Sequence, residues 1–177
     1  KLNVEAINCA VQIAGEANTY HPVRDYLESL SWDGVDRLSS FAPVYLGSEV
    51  SEYHKLVMKL WLISAVARIF EPGCKVDYQV ILEGQQGIRK STALKALAGG
   101  SEWFSDAKVD LANKDALLQM RGKWIIEIAE LASMKRADVE SLKAFFTSSH
   151  DTYRKPYGRH TVTIPRGCVY AGTINPE

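Results

Sequence analysis

The clearest chemistry in this sequence lies in Gly84-Gln85-Gln86-Gly87-Ile88-Arg89-Lys90-Ser91-Thr92, which joins an apolar run, Val80-Ile81-Leu82, to a helical pattern, Ala93-Leu94-Lys95-Ala96-Leu97. Strand, glycine loop, Lys-Ser/Thr and helix, in that order, wrap the phosphates of a nucleotide. Amides of the turn and of the helix N-terminus point at one spot, and their dipoles favour an anion there. Gly84 and Gly87 let the backbone approach the ligand. Lys90 supplies a positive charge to the β- and γ-phosphates, the Ser91 hydroxyl ligates Mg²⁺, and Thr92 sits near the α- and β-phosphates. ATP with Mg²⁺ is therefore the expected ligand. Arg89 departs from the pattern, which asks for glycine. If that residue is left-handed, the strain is about 1–3 kcal/mol. The alternative is a strand-turn-helix corner that binds nothing.

A triphosphatase also needs carboxylates at the end of a neighbouring strand, one for the metal and one to polarise water. Glu127 and Glu130 lie on or just beyond Trp124-Ile125-Ile126-Glu127-Ile128. A glutamate inside such a run is costly to bury without a cation or donors, so Glu127 is expected at the metal together with Ser91. A strand edge with Glu127 facing solvent is the competing reading. Asn175 ends the last apolar strand, where an amide can hydrogen-bond a γ-phosphate and the attacking water; a turn asparagine before Pro176 explains it equally well. Between them, Arg154, Lys155 and Arg159 flank Tyr153 and Tyr157 in a stretch from Thr152 to Gly167 that has no acid and also holds His160 and Arg166. Cations for phosphates and tyrosines for base stacking suit single-stranded nucleic acid; a solvated hairpin is the plainer account.

The elements that must position these residues fall into two parts. Residues 1–76 read as a helical subdomain, with helices over Val4 to Ala17, Val23 to Leu30 (Pro22 in its first turn), a short one near Val35 to Phe41, a loop at Pro43 and Gly47, and a long helix from the Ser51 cap to about Phe70. On the long helix Tyr53, Leu56, Val57, Leu60, Ile63, Val66, Ala67 and Phe70 are expected to face the core. Residues 77–177 alternate strand and helix: a strand at Tyr78 to Leu82, a helix to about Ala98 stopped by Gly99-Gly100, a helix at Asn113 to Met120, the Trp124 strand, a helix at Ala137 to Phe146, a hairpin over Tyr153 to Ile164, and a strand at Cys168 to Ile174. That order predicts an α/β fold with a parallel sheet flanked by helices.

With 177 residues, 46% apolar content and no net charge, the chain accommodates a real core and carries no global charge that names a partner. Cys9, Cys74 and Cys168 lie far apart and are expected as reduced, mostly buried thiols of a cytosolic protein. Trp32, Trp61, Trp103 and Trp124 are expected in or beside the core. The four histidines show no metal spacing. No apolar run is long enough for a membrane span, and the chain reads as a piece of a longer protein.

Taken in order, these features resemble the virulence-associated protein E family of phage, prophage and pathogenicity-island replication proteins. The segments that carry the resemblance are His21-Pro22-Val23-Arg24-Asp25-Tyr26-Leu27, Trp32-Asp33-Gly34-Val35, Glu83-Gly84-Gln85-Gln86-Gly87, Trp103-Phe104-Ser105-Asp106, Asp115-Ala116, Arg121-Gly122-Lys123-Trp124, Glu127-Ile128-Ala129-Glu130-Leu131, Lys143-Ala144-Phe145, Tyr153 through Arg159, and Gly172-Thr173-Ile174-Asn175. The resemblance implies a P-loop ATPase like that of superfamily 3 helicases, within the AAA+ group, acting in DNA replication. It implies Lys90 and Ser91 as Walker A, Glu127 and Glu130 as Walker B, Asn175 as the polar sensor, and a DNA-contacting hairpin at Arg154, Lys155 and Arg159. It further implies a homo-oligomeric ring, with an arginine finger expected beyond Glu177. A degenerate P-loop adaptor that binds replication or host proteins is the alternative. A small-molecule kinase has no acceptor-pocket or lid signature here.

Overall fold

The computed structural model describes residues 3–107, 116–129, 131, 136–154 and 161–175. The chain divides into two compact units, Lys1–Asp33 and Gly34–Glu177. The first holds α1 (Val4–Ala17) and α2 (Pro22–Ser29). Each starts at a side-chain cap: Asn3 accepts from the Glu5 amide at 3.1 Å, and His21 Nδ1 accepts from the Arg24 amide at 3.3 Å. Pro22 opens α2, where a missing N–H costs no hydrogen bond.

The expected boundary at residue 76 is not where the chain divides. The long helix α4 (Glu52–Phe70) belongs with the sheet, because Trp61 Nε1 donates to the Tyr170 carbonyl (2.8 Å) and Trp124 Nε1 donates to the Ala65 carbonyl (2.7 Å). Ser51 caps this helix as expected, accepting from the His54 amide at 3.2 Å. The buried face, however, is Met58, Trp61, Ser64, Ala65, Arg68 and Ile69. The face expected to be inside, including Tyr53, Leu56, Leu60, Ile63, Val66 and Phe70, is exposed. Both stripes follow three- and four-residue steps, so periodicity could not choose between them. Ahead of α4, a 3-10 turn (Leu38–Ser40) leads into α3 (Phe41–Leu46). This helix lies later than expected, because Pro43 sits within its first turn rather than in a loop.

A parallel four-stranded sheet runs in the order β1-β6-β3-β2, with β1 Val80–Glu83, β2 Phe104–Ser105, β3 Ile125–Ile128 and β6 Val169–Ile174. The short strand β2 is an addition to the expected elements. In register, Glu127 lies opposite Ala171, and Leu82 opposite Thr173. Helix α5 (Lys90–Leu97) packs on β2, β3 and β6, and α4 on β1 and β6. Helices α6 (Ala116–Gln119) and α7 (Arg136–Thr147) belong to a cluster in which Met120, Ile126, Ile128, Leu142, Cys168 and Tyr170 are buried. Burial pushes the Cys168 thiol and the Tyr170 phenol upward. Cys74 is half-buried and Cys9 exposed, so Cys168 alone among the cysteines meets the burial expectation. Trp61 and Trp124 are buried and Trp103 half-buried, but Trp32 is 80% exposed.

Strands β4 (His150–Arg154) and β5 (Thr161–Pro165) pair antiparallel in a separate ribbon. Arg166, a member of the basic stretch in sequence, is instead 2% exposed at the base of this hairpin. Its Nε donates to both Asp151 carboxylate oxygens at 3.1 and 3.2 Å, Nη2 pairs with Asp151 Oδ1, and Nη1 donates to the Phe145 carbonyl at 2.6 Å. The guanidinium also lies over the Phe145 ring, 4.5 Å from its centre. Burial opposes the charge on Arg166, but the Asp151 bonds outweigh it and hold the guanidinium protonated. No helix among the described residues is long and apolar enough to cross a membrane.

Candidate functional site

The site forms where the carboxyl ends of β1, β3 and β6 meet the N-terminus of α5. Open α/β sheets bind ligands at this edge. The loop leaves β1 at Gly84, whose amide donates to the Ile174 carbonyl at 3.3 Å. A Cβ on Gly84 would collide with Ile88 Cδ1, so glycine lets the loop close on itself. Gly87 takes φ 87°, a left-handed conformation that glycine alone adopts without strain. Arg89 follows at φ 68°, ψ 33° as the N-cap of α5. It is the only non-glycine residue at positive φ among those described, and a strain of about 1–2 kcal/mol attaches to it. Unlike the side chains of Asn3, His21 and Ser51, the Arg89 side chain caps no amide; only its backbone carbonyl accepts from the helix, from the Ala93 amide at 3.0 Å.

Lys90 turns back over the loop. Its Nζ donates to the carbonyls of Gly84 (2.6 Å) and Gln85 (3.0 Å) and to Asn175 Oδ1 (2.8 Å). The ammonium is thus held between the glycine turn and the end of β6 by three uncharged acceptors. Anionic oxygens entering the loop would be stronger partners than any of them.

Glu127 is 1% exposed, which rules out the solvent-facing reading. Its Oε1 accepts from Ser91 Oγ at 2.8 Å and from Thr173 Oγ1 at 2.7 Å. Its Oε2 is buried with no hydrogen-bond partner among the described residues. A buried carboxylate oxygen without a partner is costly. A divalent cation beside the Ser91 hydroxyl would satisfy it, so the residues present fit Mg²⁺. Thr173 is a site residue to which the sequence reading gives no role of its own; an aliphatic hydroxyl two places before Asn175 in an apolar strand is the signal that could have assigned it.

The loop, Lys90, Ser91, Glu127 and Asn175 are therefore gathered as the sequence suggested. Arg154 is not among them: it is exposed on β4, in the separate ribbon. Glu130, Lys155 and Arg159 lie outside the described residues.

The sequence profile of the virulence-associated protein E-like domain matches residues 27–177. The chain belongs to that family. This virulence-associated protein E-like chain is also similar in fold to the C-terminal region of NrS-1 in its apo A form, with a TM-score of 0.55 and 16% identity over 81% of this chain. A second structure of that region, covering 305–718, gives a TM-score of 0.42 at 17% identity over 79% of this chain and 30% of that one. The chain spans 34% of the first of these structures, about a third of its length. No curated protein matches the virulence-associated protein E-like chain.

Proposed function

We propose that this chain is the ATP-binding and hydrolysing module of a helicase-like motor that works on single-stranded DNA during replication of a mobile element. The observation that carries this reading is the buried Oε2 of Glu127, which has no hydrogen-bond partner among the described residues, on a carboxylate whose Oε1 accepts from Ser91 of the phosphate loop. Ser91 and Glu127 would hold Mg²⁺, which supplies charge neutralisation at the phosphate oxygens when bound. Lys90 exchanges its three uncharged acceptors for β- and γ-phosphate oxygens. That exchange frees the Asn175 amide to orient water at the γ-phosphate. Thr173 keeps the Glu127 carboxylate turned toward Ser91, and Glu130 is assigned the polarisation of the attacking water. The resemblance to superfamily 3 helicases supports a ring of identical chains in the cytoplasm, with nucleotide between subunits.

Glu127→Gln tests the assignment. The amide oxygen still accepts from Ser91 and Thr173, so the fold and ATP binding persist while the metal-facing negative charge is removed. Steady-state hydrolysis with Mg²⁺, with and without single-stranded DNA, should fall by about 100-fold; a decrease under threefold removes Glu127 from this role. The left-handed Arg89 favours a second reading, a degenerate P-loop adaptor. Thermal shift separates the two: ATP at about 100 times its dissociation constant stabilises by ~2.7 kcal/mol, whereas an adaptor shows no shift at millimolar Mg²⁺-ATP.

The basic hairpin is assigned to DNA. Replacing Arg154, Lys155 and Arg159 by Ala should weaken oligonucleotide binding. It should also flatten the dependence on salt by about 0.7 in log–log slope for each phosphate the hairpin no longer neutralises. A slope that does not change in a salt titration places DNA binding elsewhere.

A further inference from the structure

Arg89 occupies a backbone conformation that glycine would adopt freely. Strain of this kind persists where the surrounding structure or a ligand holds it, and it clusters at binding sites. The Arg89 backbone is held, its carbonyl accepting from the Ala93 amide at 3.0 Å, but its side chain is not. The Arg89 side chain is exposed, and no hydrogen bond or ion pair holds it among the described residues. Its place is nonetheless specific: it is the N-cap of α5, next to Lys90 and two residues from Ser91, whose hydroxyl meets the half-satisfied Glu127.

Charge makes the same point. An ionised triphosphate carries more negative charge than Lys90 and one divalent cation neutralise, and buried Glu127 adds to the deficit. Glu83, at the end of β1, adds another carboxylate at the mouth of the loop. A guanidinium differs from the Lys90 ammonium in presenting paired donors that match two phosphate oxygens at once.

We propose that Arg89 is a phosphate-binding residue of this site, taking oxygens of a bound polyphosphate alongside Lys90. The inference rests on the nucleotide reading above and extends it to a residue that the loop pattern assigns to glycine. The ligand class is the polyphosphate chain, so the effect should be the same for Mg²⁺-ATP and for inorganic tripolyphosphate with Mg²⁺.

Calorimetric titration of the full chain with both ligands, and melting of the ligand-free protein, test this in wild type, Arg89→Gly and Arg89→Ala. Arg89→Gly should raise the ligand-free melting temperature by about 2–4 °C, because the backbone is relieved. The same substitution should weaken both ligands about tenfold or more, because a charge-assisted hydrogen bond disappears. Arg89→Ala keeps the strained Cβ, so it should lose the affinity without the thermal gain. Undiminished affinity in Arg89→Gly overturns the proposal and leaves the nucleotide reading standing. A lowered melting temperature in Arg89→Gly also overturns it, since the side chain would then be packing in the ligand-free protein. If wild type binds neither ligand, the nucleotide reading fails and this inference fails with it.

Discussion

Lys90→Ala should weaken binding of Mg²⁺-ATP by on the order of 100-fold, with little change in the melting temperature of the ligand-free protein. The two effects separate because of what the ammonium touches. Without ligand it donates to the Gly84 and Gln85 carbonyls and to Asn175 Oδ1. The Gln85 and Asn175 acceptors are exposed and that of Gly84 is part-buried, so water replaces the missing donor and the three bonds together contribute only about 1 kcal/mol. With ligand, the same ammonium faces phosphate oxygens, where hydrogen bonds to charged groups contribute about 1.5–3 kcal/mol each. Two such bonds exceed the uncharged ones they replace and account for the expected weakening. Isothermal titration measures it directly. Unchanged affinity in Lys90→Ala would remove the loop from nucleotide binding altogether. Asn175→Ala provides a control: it removes one acceptor from Lys90 and should leave affinity within a few-fold while slowing hydrolysis.

The largest stability effect is expected at Arg166, far from the loop in sequence. Arg166→Ala should destabilise the fold by about 3–5 kcal/mol, the range for breaking a buried ion pair on one side, and lower the melting temperature by on the order of 10 °C. Three effects combine. Asp151 keeps a charge that is only 15% exposed and no longer has its partner. The Phe145 carbonyl, in the last turn of α7, loses its donor, and with it the cation favoured at a helix C-terminus. The Phe145 and Tyr170 rings lose the guanidinium lying over them. The backbone of Arg166 also accepts from the Gly73 amide at 2.9 Å and donates to the Ser149 carbonyl at 2.9 Å, bonds that survive the substitution. The double variant Arg166→Met with Asp151→Leu should recover much of the stability, because removing both charges leaves neither buried alone. Differential scanning calorimetry of wild type, Arg166→Ala and the double variant checks both expectations. A shift under about 2 °C in Arg166→Ala would show that the hairpin base is held by its backbone bonds alone.

Much of this molecule is readable where the cause is local. The loop from Gly84 to Thr92, the helix α5 with its Gly99-Gly100 stop and the Ser51 cap follow from turn chemistry, capping and short-range periodicity, whereas the first strand of the hairpin starts at His150, three residues before the expected Tyr153, and its expected turn lies outside the described residues. The candidate site is legible to the same degree: Glu127 stands out because a carboxylate inside Ile126-Glu127-Ile128 needs a reason to be there. Its reason is not legible. Ser91 lies 36 residues before it and Thr173 46 residues after it, and only the pairing of β3 with β6 beside α5 brings the three together. Arg166 reads wrongly from sequence for a related cause, since the neighbours that make it buried, Asp151 and Phe145, come from the hairpin and α7.

Helix α4 states the division most clearly. Its 19 residues are apolar on more than one side, and the sequence alone determined that they form a helix beginning at Ser51. Which side faces the sheet was decided by tertiary structure, when Trp61 found the Tyr170 carbonyl and Ala65 received the Trp124 indole N–H. Backbone conformation depends on near neighbours and is written in short stretches of sequence. Burial and hydrogen-bond partnership depend on the register between segments roughly a hundred residues apart, and that register exists only once the sheet has formed.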